Sequence, residues 1–387
     1  MIHKKYYHLG KEQEKLLKKK NKIDRKAYNG IYDRYVNPVL TRHHVPIDWR
    51  FDINKNSNPY FMERLMVNAT FNSGAIYFNN KFYLVVRLEG ADRKSIFALA
   101  SSPTGIDQFR FERVIDFDDF DKEETNRYDM RLVLHEDGYI YGTYCAERKD
   151  LSADDTSTAL AMVGLVRTKD LITWEKLANL ETGSDQQRNV VLHPEFKNGN
   201  YVFYTRPQDG FIEVGSKGGI YLGESKTIVD AKVDKELLIH EKTYHTVYEL
   251  KNGQGPAPIK TDKGWIHLAH GVRNTAAGLR YVLYMFATDL NDLTKVIARP
   301  SGYFIAPFGN ERVGDVSNVV FSNGWAVKDR DVYIYYASSD TRMHVATTTI
   351  EKLVDYVFNT PTEVYRAQDS TAQRIELINK NKQIKGE

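Results

Sequence analysis

The sequence predicts an all-β protein, a five-bladed β-propeller with an N-terminal helical extension. Three observations predict it. A strand–turn–strand unit recurs five times after Pro38. The second strands of these units are anchored by Tyr83, Tyr139, Tyr201, Trp265 and Tyr333, roughly 60 residues apart. Between the units lie segments that read as a third strand, a polar turn and an outer edge strand. Four strands per unit at a quasi-regular period is the pattern of radial blades. Two β-sandwiches with accidental spacing is the competing architecture.

Taken in order, the first element is a helix over residues 8–28, HLGKEQEKLLKKKNKIDRKAY. Good helix formers dominate, and Leu9, Leu16, Leu17 and Ile23 give a thin apolar stripe. The lysine run reads as a solvated face; the stripe is free to dock on the body of the fold or on a second subunit. This sets residues 1–35 as the helical extension and residues 36–387 as the propeller. The five hairpins follow: residues 74–87, 130–144, 189–206, 256–270 and 318–340, each with alternating apolar strands around a Gly- or Asn-bearing turn. The outer-strand segments are 101–111, 167–177 and 287–296. A propeller hides its sheet edges by radial repetition, so a single domain of this length is reasonable.

Composition narrows the function. Hydrophobic content of 42% and charged content of 27% describe a soluble globule with a core. A net charge of +3 is too small to argue for nucleic acid or an anionic membrane, so any positive site is local. Cys145 is the single cysteine, which excludes an intrachain disulfide and suits a reducing compartment. The start, MIHKKYYHLGKEQEK, has no apolar signal region, and no apolar run reaches membrane-spanning length. A cytoplasmic location is expected. The histidines are scattered without ligand spacing, so neither a metal nor a cofactor is expected.

Polar residues collect at the hairpin ends. Asn72, Ser73, Asp129, Arg131, Arg188 and Asn189 precede first strands, with Lys251 and Asp315 near the fourth and fifth. Arg87, Arg206, His270 and Asp340 close second strands. Equivalent ends of successive blades converge on one axial pocket, so these distant residues become neighbours. Arg87, Arg188, Arg206, Lys251 and His270 would then crowd together with few acids opposite. Such a cluster calls for an anion, and arginine forks match phosphate oxygens in pairs. Asp129, in NRYDMRLV, stands out as the acid of a basic site. Inverting glycoside cleavage by water needs an acid and a base. Phosphate is already a charged nucleophile, so one acid and an oxyanion cradle suffice for phosphorolysis.

The segments FNSGAIYFNNKFYLVVR, NRYDMRL, QRNVVLHPE, YTRPQDG, GQGPAPIKTDKGWIHLAHG and YYASSD together resemble glycoside hydrolase family 130, the β-mannoside phosphorylases, over roughly residues 36–350. The N-terminal helix and HHVPIDWRFD look most like the branch acting on 4-O-β-mannosyl-glucose. The resemblance implies a five-bladed propeller with a central site. It also implies reversible, inverting phosphorolysis of a β-mannoside to α-mannose 1-phosphate. By motif, Asp129 matches the family's acid, whose proton is relayed through the mannose 3-hydroxyl. Arg188, Asn189, Arg206, Lys251 and His270 match the phosphate cradle; Asn72, Ser73, Arg87 and Asp340 match residues around the mannose, and Asp315 is a further candidate. Met130 stands where many relatives have proline.

The expected partners are a β-mannosyl disaccharide and phosphate, the latter a substrate rather than a cofactor, with no nucleic acid or membrane. The N-terminal helix invites a homo-oligomer. The alternatives are a β-1,4-mannooligosaccharide phosphorylase, a hydrolytic β-mannosidase, which needs a second carboxylate, and a non-catalytic sugar-binding propeller.

Overall fold

Backbone pairing in the computed structural model organises the chain into five blades around an axis; residues 1–117 and 122–386 are described. Blade one is Val67–Phe78, Lys81–Gly90, Ser95–Ser102 and Arg110–Val114, inner to outer. Blade two is Glu124–Leu134, Ile140–Lys149, Ala159–Thr168 and Glu175–Thr182, with Lys232–Val233 added in parallel at its edge. Blade three is Val191–Leu192, Tyr201–Thr205, Ile220–Ser225 and Glu236–His240. Blade four is Lys251–Gln254 with Ile259–Lys260, then Trp265–Thr275, Gly278–Thr288 and Val296–Ala298. Blade five is Val320–Lys328, Asp331–Ser338 and Arg342–Thr349, completed by Asp33–Arg34 from the other end of the chain.

The predicted hairpins correspond to the first two strands of each blade, and the predicted outer segments to the turn between its third and fourth strands. Their turns are built as the sequence suggests: Asn79 and Asn80 both adopt positive φ, 46° and 62°, the geometry that joins two twisted strands in two residues. Inner strands are shorter than expected where proline intervenes. Blade four's breaks across Gly255–Pro258, because proline has no N–H to donate to the ladder.

Two helical expectations need correction. The N-terminal helix is Lys4–Leu17, not 8–28. The lysine-rich remainder leaves the helix, apart from a short 3-10 turn at Arg25–Ala27, because Asn21 ties it to the propeller. Asn21 N–H donates to Asp107 Oδ2 (2.9 Å), and Asn21 Nδ2 donates to the carbonyls of Asn37 (2.8 Å) and Ile106 (3.0 Å). The helix docks on the body: Leu17 is buried, and Gln13 Nε2 donates to the carbonyls of His43 and Val45. Two further helices, Ile350–Asn359 and Ala367–Lys385, follow the last blade and were not anticipated. The first buries Leu353 and Val357 against blades four and five, and the Thr349 hydroxyl caps it. Among the described residues, no helix is long and apolar enough to cross a membrane.

Inner strands of three blades carry the same irregularity. Pairing with the second strand skips two residues: Asn72–Ser73 in blade one, Asp129–Met130 in blade two and Ser322–Asn323 in blade five. A bulge re-aims the side chains it releases. Asn72 and Asp129 sit at φ 48° and 60°, a left-handed conformation that Asn and Asp tolerate better than most residues. Just beyond the bulges the strands nearly touch. A Cβ on Gly74 would lie 2.8 Å from the Met130 carbonyl oxygen, and one on Gly324 would lie 2.4 Å from the Ala75 nitrogen. Tight packing there closes the axis and leaves a cup at the bulged end.

Candidate active site

The cup is a cavity of about 630 Å³. It is lined by Asn72, Arg87, Asp129, Arg188, Asn189, Arg206, Lys251, His270 and Asp340, with Asp315 at its rim. All five blades contribute. Ser73, expected beside them, is fully buried behind the lining and does not reach the cavity, because the bulge turns Asn72 inward and Ser73 away.

The acidic side is organised around Asp129. Its Oδ1 accepts from Asn72 Nδ2 (3.0 Å) and Arg87 Nη1 (3.1 Å). Arg87 also donates to Glu89 (2.6 Å), and its guanidinium lies against the rings of Phe71 (4.4 Å) and Tyr128 (4.6 Å). Burial disfavours the Arg87 charge, but Asp129 and Glu89 outweigh it, and its pKa is raised. Asp340 occupies a left-handed turn at φ 50°. Burial first, then the Asp129 charge, pushes its pKa up to about 7.

The basic side differs in kind. Arg188 Nη1 donates to the Phe211 carbonyl (3.1 Å) and Nη2 to the Tyr128 hydroxyl (3.0 Å). Arg206 Nη1 donates to His270 Nε2 (3.0 Å). Arginine only donates, so that ring nitrogen accepts and the His270 proton sits on Nδ1. Burial, then Arg206, Arg131 and Lys251, hold the His270 pKa well below its usual value. Lys251 is pushed down to about 7 by burial and then by Arg206 and Arg188. Among the described residues, no carboxylate forms an ion pair with Arg188, Arg206 or Lys251. Arg206 Nε, His270 Nδ1 and Asn189 Oδ1 are buried without a partner in the protein. Two of these are donors and Asn189 Oδ1 is an acceptor, and buried polar groups left this way are costly unless something meets them. The five basic groups expected together therefore divide: Arg87 belongs with the acid, and the other four form the anion-seeking wall.

Sequence reasoning passed over several lining residues. Arg131 was noticed at its strand end but given no place in the site; it is buried, donates to the carbonyls of Asp129 (2.8 Å) and Gly255 (3.2 Å), and burial lowers its pKa to about 10. Tyr128, Tyr281 and Phe321 also line the cup, as does the tip of the blade-four hairpin at Ala277–Leu279. The periodic pattern gave a signal for strand ends only, whereas Tyr281 lies on a third strand and Tyr128 looks like an ordinary strand aromatic. Among the described residues, no group of three or more His, Cys, Asp or Glu is placed to hold a metal ion.

The chain matches glycoside hydrolase family 130, described as beta-1,4-mannooligosaccharide phosphorylase, over residues 33–359. It is 56% identical over 372 residues to the 4-O-beta-D-mannosyl-D-glucose phosphorylase of Bacteroides fragilis, covering 95% of each chain. It is 28% identical over 326 residues to the beta-1,4-mannooligosaccharide phosphorylase of Ruminococcus albus, covering 80% of this chain and 90% of that one. Among solved structures, the beta-1,2-mannobiose phosphorylase from Listeria innocua superposes with a TM-score of 0.68 at 21% identity, covering 85% of this chain and 99% of that one. The fold, the motifs and the match along nearly the whole propeller agree: the chain belongs to glycoside hydrolase family 130.

Proposed function

We propose that the protein catalyses reversible, inverting phosphorolysis of 4-O-β-D-mannosyl-D-glucose, releasing α-D-mannose 1-phosphate and D-glucose. The observation that carries this reading is the wall of Arg206 and Lys251, both buried, with half-buried Arg188 beside them, none ion-paired to a carboxylate among the described residues, next to the hydrogen-bonded acid Asp129. Full-length similarity to the Bacteroides fragilis enzyme supports the choice of disaccharide.

In this reading phosphate lies on the basic wall, held by Arg188, Asn189, Arg206, Lys251 and His270. The mannosyl ring sits between it and Asn72, Arg87 and Asp340, with Ser73 supporting from behind. Asp129 supplies the proton that the departing glucose oxygen requires, through the mannose 3-hydroxyl. A phosphate oxygen attacks the anomeric carbon from the opposite face, so the configuration inverts. The nucleophile arrives charged and no base is required. Asp315, at the rim beside Asn68, faces the leaving sugar.

A hydrolytic reading has one observation in its favour, the second carboxylate of Asp340. Its pKa near 7 keeps it substantially protonated at neutral pH, which suits a hydrogen-bond donor to sugar better than a base. Phosphate is a substrate here and no cofactor is required. Residues 1–35 form an N-terminal extension whose Asp33–Arg34 strand completes blade five, and residues 36–387 carry the rest of the catalytic propeller. The half-exposed stripe of the N-terminal helix suits a homo-oligomer contact, and the single buried cysteine suits the cytoplasm.

The test is incubation with mannosyl-glucose, β-1,4-mannobiose and longer β-1,4-mannooligosaccharides, each with and without phosphate, identifying both products. Mannose 1-phosphate and glucose are expected, only with phosphate. Free mannose at equal rates without phosphate would establish hydrolysis instead. Preference for the oligosaccharides would move the protein to the mannooligosaccharide branch.

A further inference from the structure

Arg188 reaches its carboxylate indirectly. Its Nη2 donates to the Tyr128 hydroxyl (3.0 Å), and that hydroxyl donates in turn to Glu147 Oε1. The direction is fixed by chemistry: a guanidinium has no lone pair to accept with, so the phenol's one proton must go to the carboxylate. Tyr128 is 4% exposed, and burial keeps it a phenol by raising its pKa well above the usual value. Phe211 completes the hold, with its carbonyl on Nη1 and its ring 4.3 Å from the guanidinium carbon.

We propose that Glu147, on the second strand of blade two, is a positioning residue for the anion site, acting on Arg188 through the Tyr128 hydroxyl. This rests on the reading that Arg188 binds phosphate. A carboxylate in direct contact would form a bidentate pair and compete with the incoming anion for the same N–H groups. A phenol placed between them keeps the alignment while leaving the guanidinium's remaining donors free. The Coulombic pull of Glu147 is also weaker at the added distance. Tyr128 touches both halves of the cup, because Arg87, the partner of Asp129, lies 4.6 Å over its ring. Among the described residues, the Glu147 carboxylate is hydrogen-bonded to the Tyr128 hydroxyl and to neither Arg87 nor Asn72, which makes it the position that separates the two halves.

The experiment measures phosphate binding to the full chain by titration calorimetry, without sugar, and separately the KM values for phosphate and mannosyl-glucose. Glu147→Ala should weaken phosphate binding roughly tenfold and leave the KM for mannosyl-glucose unchanged, the scale of a lost hydrogen bond to a charged group. Glu147→Gln should recover most of the loss, because its amide oxygen still accepts from the phenol. In a Tyr128→Phe background, Glu147→Ala should add nothing, since the connection is already cut. Should the alanine variant unfold, Tyr128→Phe carries the test: it keeps the ring over Arg87, removes only the hydroxyl, and should show the same loss of phosphate affinity. The proposal is overturned by unchanged phosphate affinity in Glu147→Ala or in Tyr128→Phe, by additive losses in the double variant, or by equal losses for phosphate and sugar. A wild-type protein that takes up no phosphate overturns it too. Phosphate binding that responds as expected, in a protein inactive on mannosyl-glucose, upholds the inference while removing the proposed substrate.

Discussion

At the scale of single residues, Lys251 is distinguished by a displaced pKa and Asp129 by the hydrogen bonds it accepts from Asn72 and Arg87. The Lys251 pKa is lowered to about 7, far below an ordinary lysine near 10.4, by burial and then by the adjacent Arg206 and Arg188 charges. A lowered lysine pKa means that the free folded protein releases a proton the unfolded chain would keep between these values. An arriving anion reverses the effect by favouring the ammonium. Sulfate binding at pH 8 should therefore take up close to one proton, and at pH 6, where Lys251 is already charged, much less. Calorimetry in two buffers of different ionisation enthalpy reads this directly, and sulfate, unlike phosphate, brings no titration of its own near pH 7. Absence of uptake at pH 8 would show that Lys251 is already charged in the free cup. Asp129→Asn isolates the other role. The amide oxygen still accepts from Asn72 and Arg87, so the fold and thermal midpoint should hold. Turnover should fall by about 10²–10⁴, the usual contribution of a positioned acid. Near-normal kcat would remove Asp129 from the chemistry.

Strands and bulges decide which of these residues face the cup. Alternation, turn chemistry and period made the hairpins legible, and with them the ends where Arg206, His270 and Asp340 sit. The bulges were not legible. A glycine follows two of the bulges, Gly74 and Gly324, but neither glycine nor proline marks Asp129–Met130, and the skipped pairing exists only once a neighbouring strand is present. That is why Asn72 lines the cup while Ser73, one residue on, lies behind its wall. The early end of the N-terminal helix was hidden for the same reason, since the hydrogen bonds of Asn21 reach partners far along the chain. The helix Ile350–Asn359 has an apolar face that sequence could have revealed; it follows a strand rich in threonine with no breaker between them. One position tests how far an element's backbone governs the anion wall. Gly253, on the inner strand of blade four, pairs with His270, and a Cβ there would lie 2.6 Å from both Asn189 Oδ1 and His270 Cε1. Gly253→Ala should push these side chains off their positions. The KM for phosphate should rise at least about tenfold, while the thermal midpoint falls by only a few degrees, as for an ordinary single substitution. A phosphate KM equal to wild type would mean that the wall tolerates displacement.

Ring closure couples the chain's beginning to the cup at the scale of the whole molecule. Asp33–Arg34 supplies the outer strand of blade five, and the Arg34 side chain continues inward. Its Nη1 donates to Glu311 Oε2 (2.6 Å) and its Nη2 to the Ala306 carbonyl (2.7 Å). Glu311 also accepts from the Tyr336 hydroxyl (2.7 Å), and its backbone carbonyl accepts from Ser339 Oγ (2.7 Å), next to Asp340. The same short helical turn, Gly309–Arg312, leads into Asp315–Ser317 at the cavity rim. One buried pair thus joins the ring closure to the backbone beside Asp340 and the cavity rim. Truncating Arg34 to alanine strands the Glu311 carboxylate in the interior, which should cost about 3–5 kcal/mol, against less than about 1 kcal/mol for breaking the exposed Arg110–Glu14 pair on the N-terminal helix. Urea unfolding of Arg34→Ala and Arg110→Ala measures the contrast. The double variant Arg34→Met with Glu311→Leu should be more stable than Arg34→Ala, because no charge is left buried. The coupling to the site has its own reading: Arg34→Ala, assayed well below its unfolding temperature, should raise the KM for mannosyl-glucose more than the KM for phosphate. Equal changes in both would mean that ring closure acts on stability alone, with the rim held by its local bonds to Thr341 and Ser339.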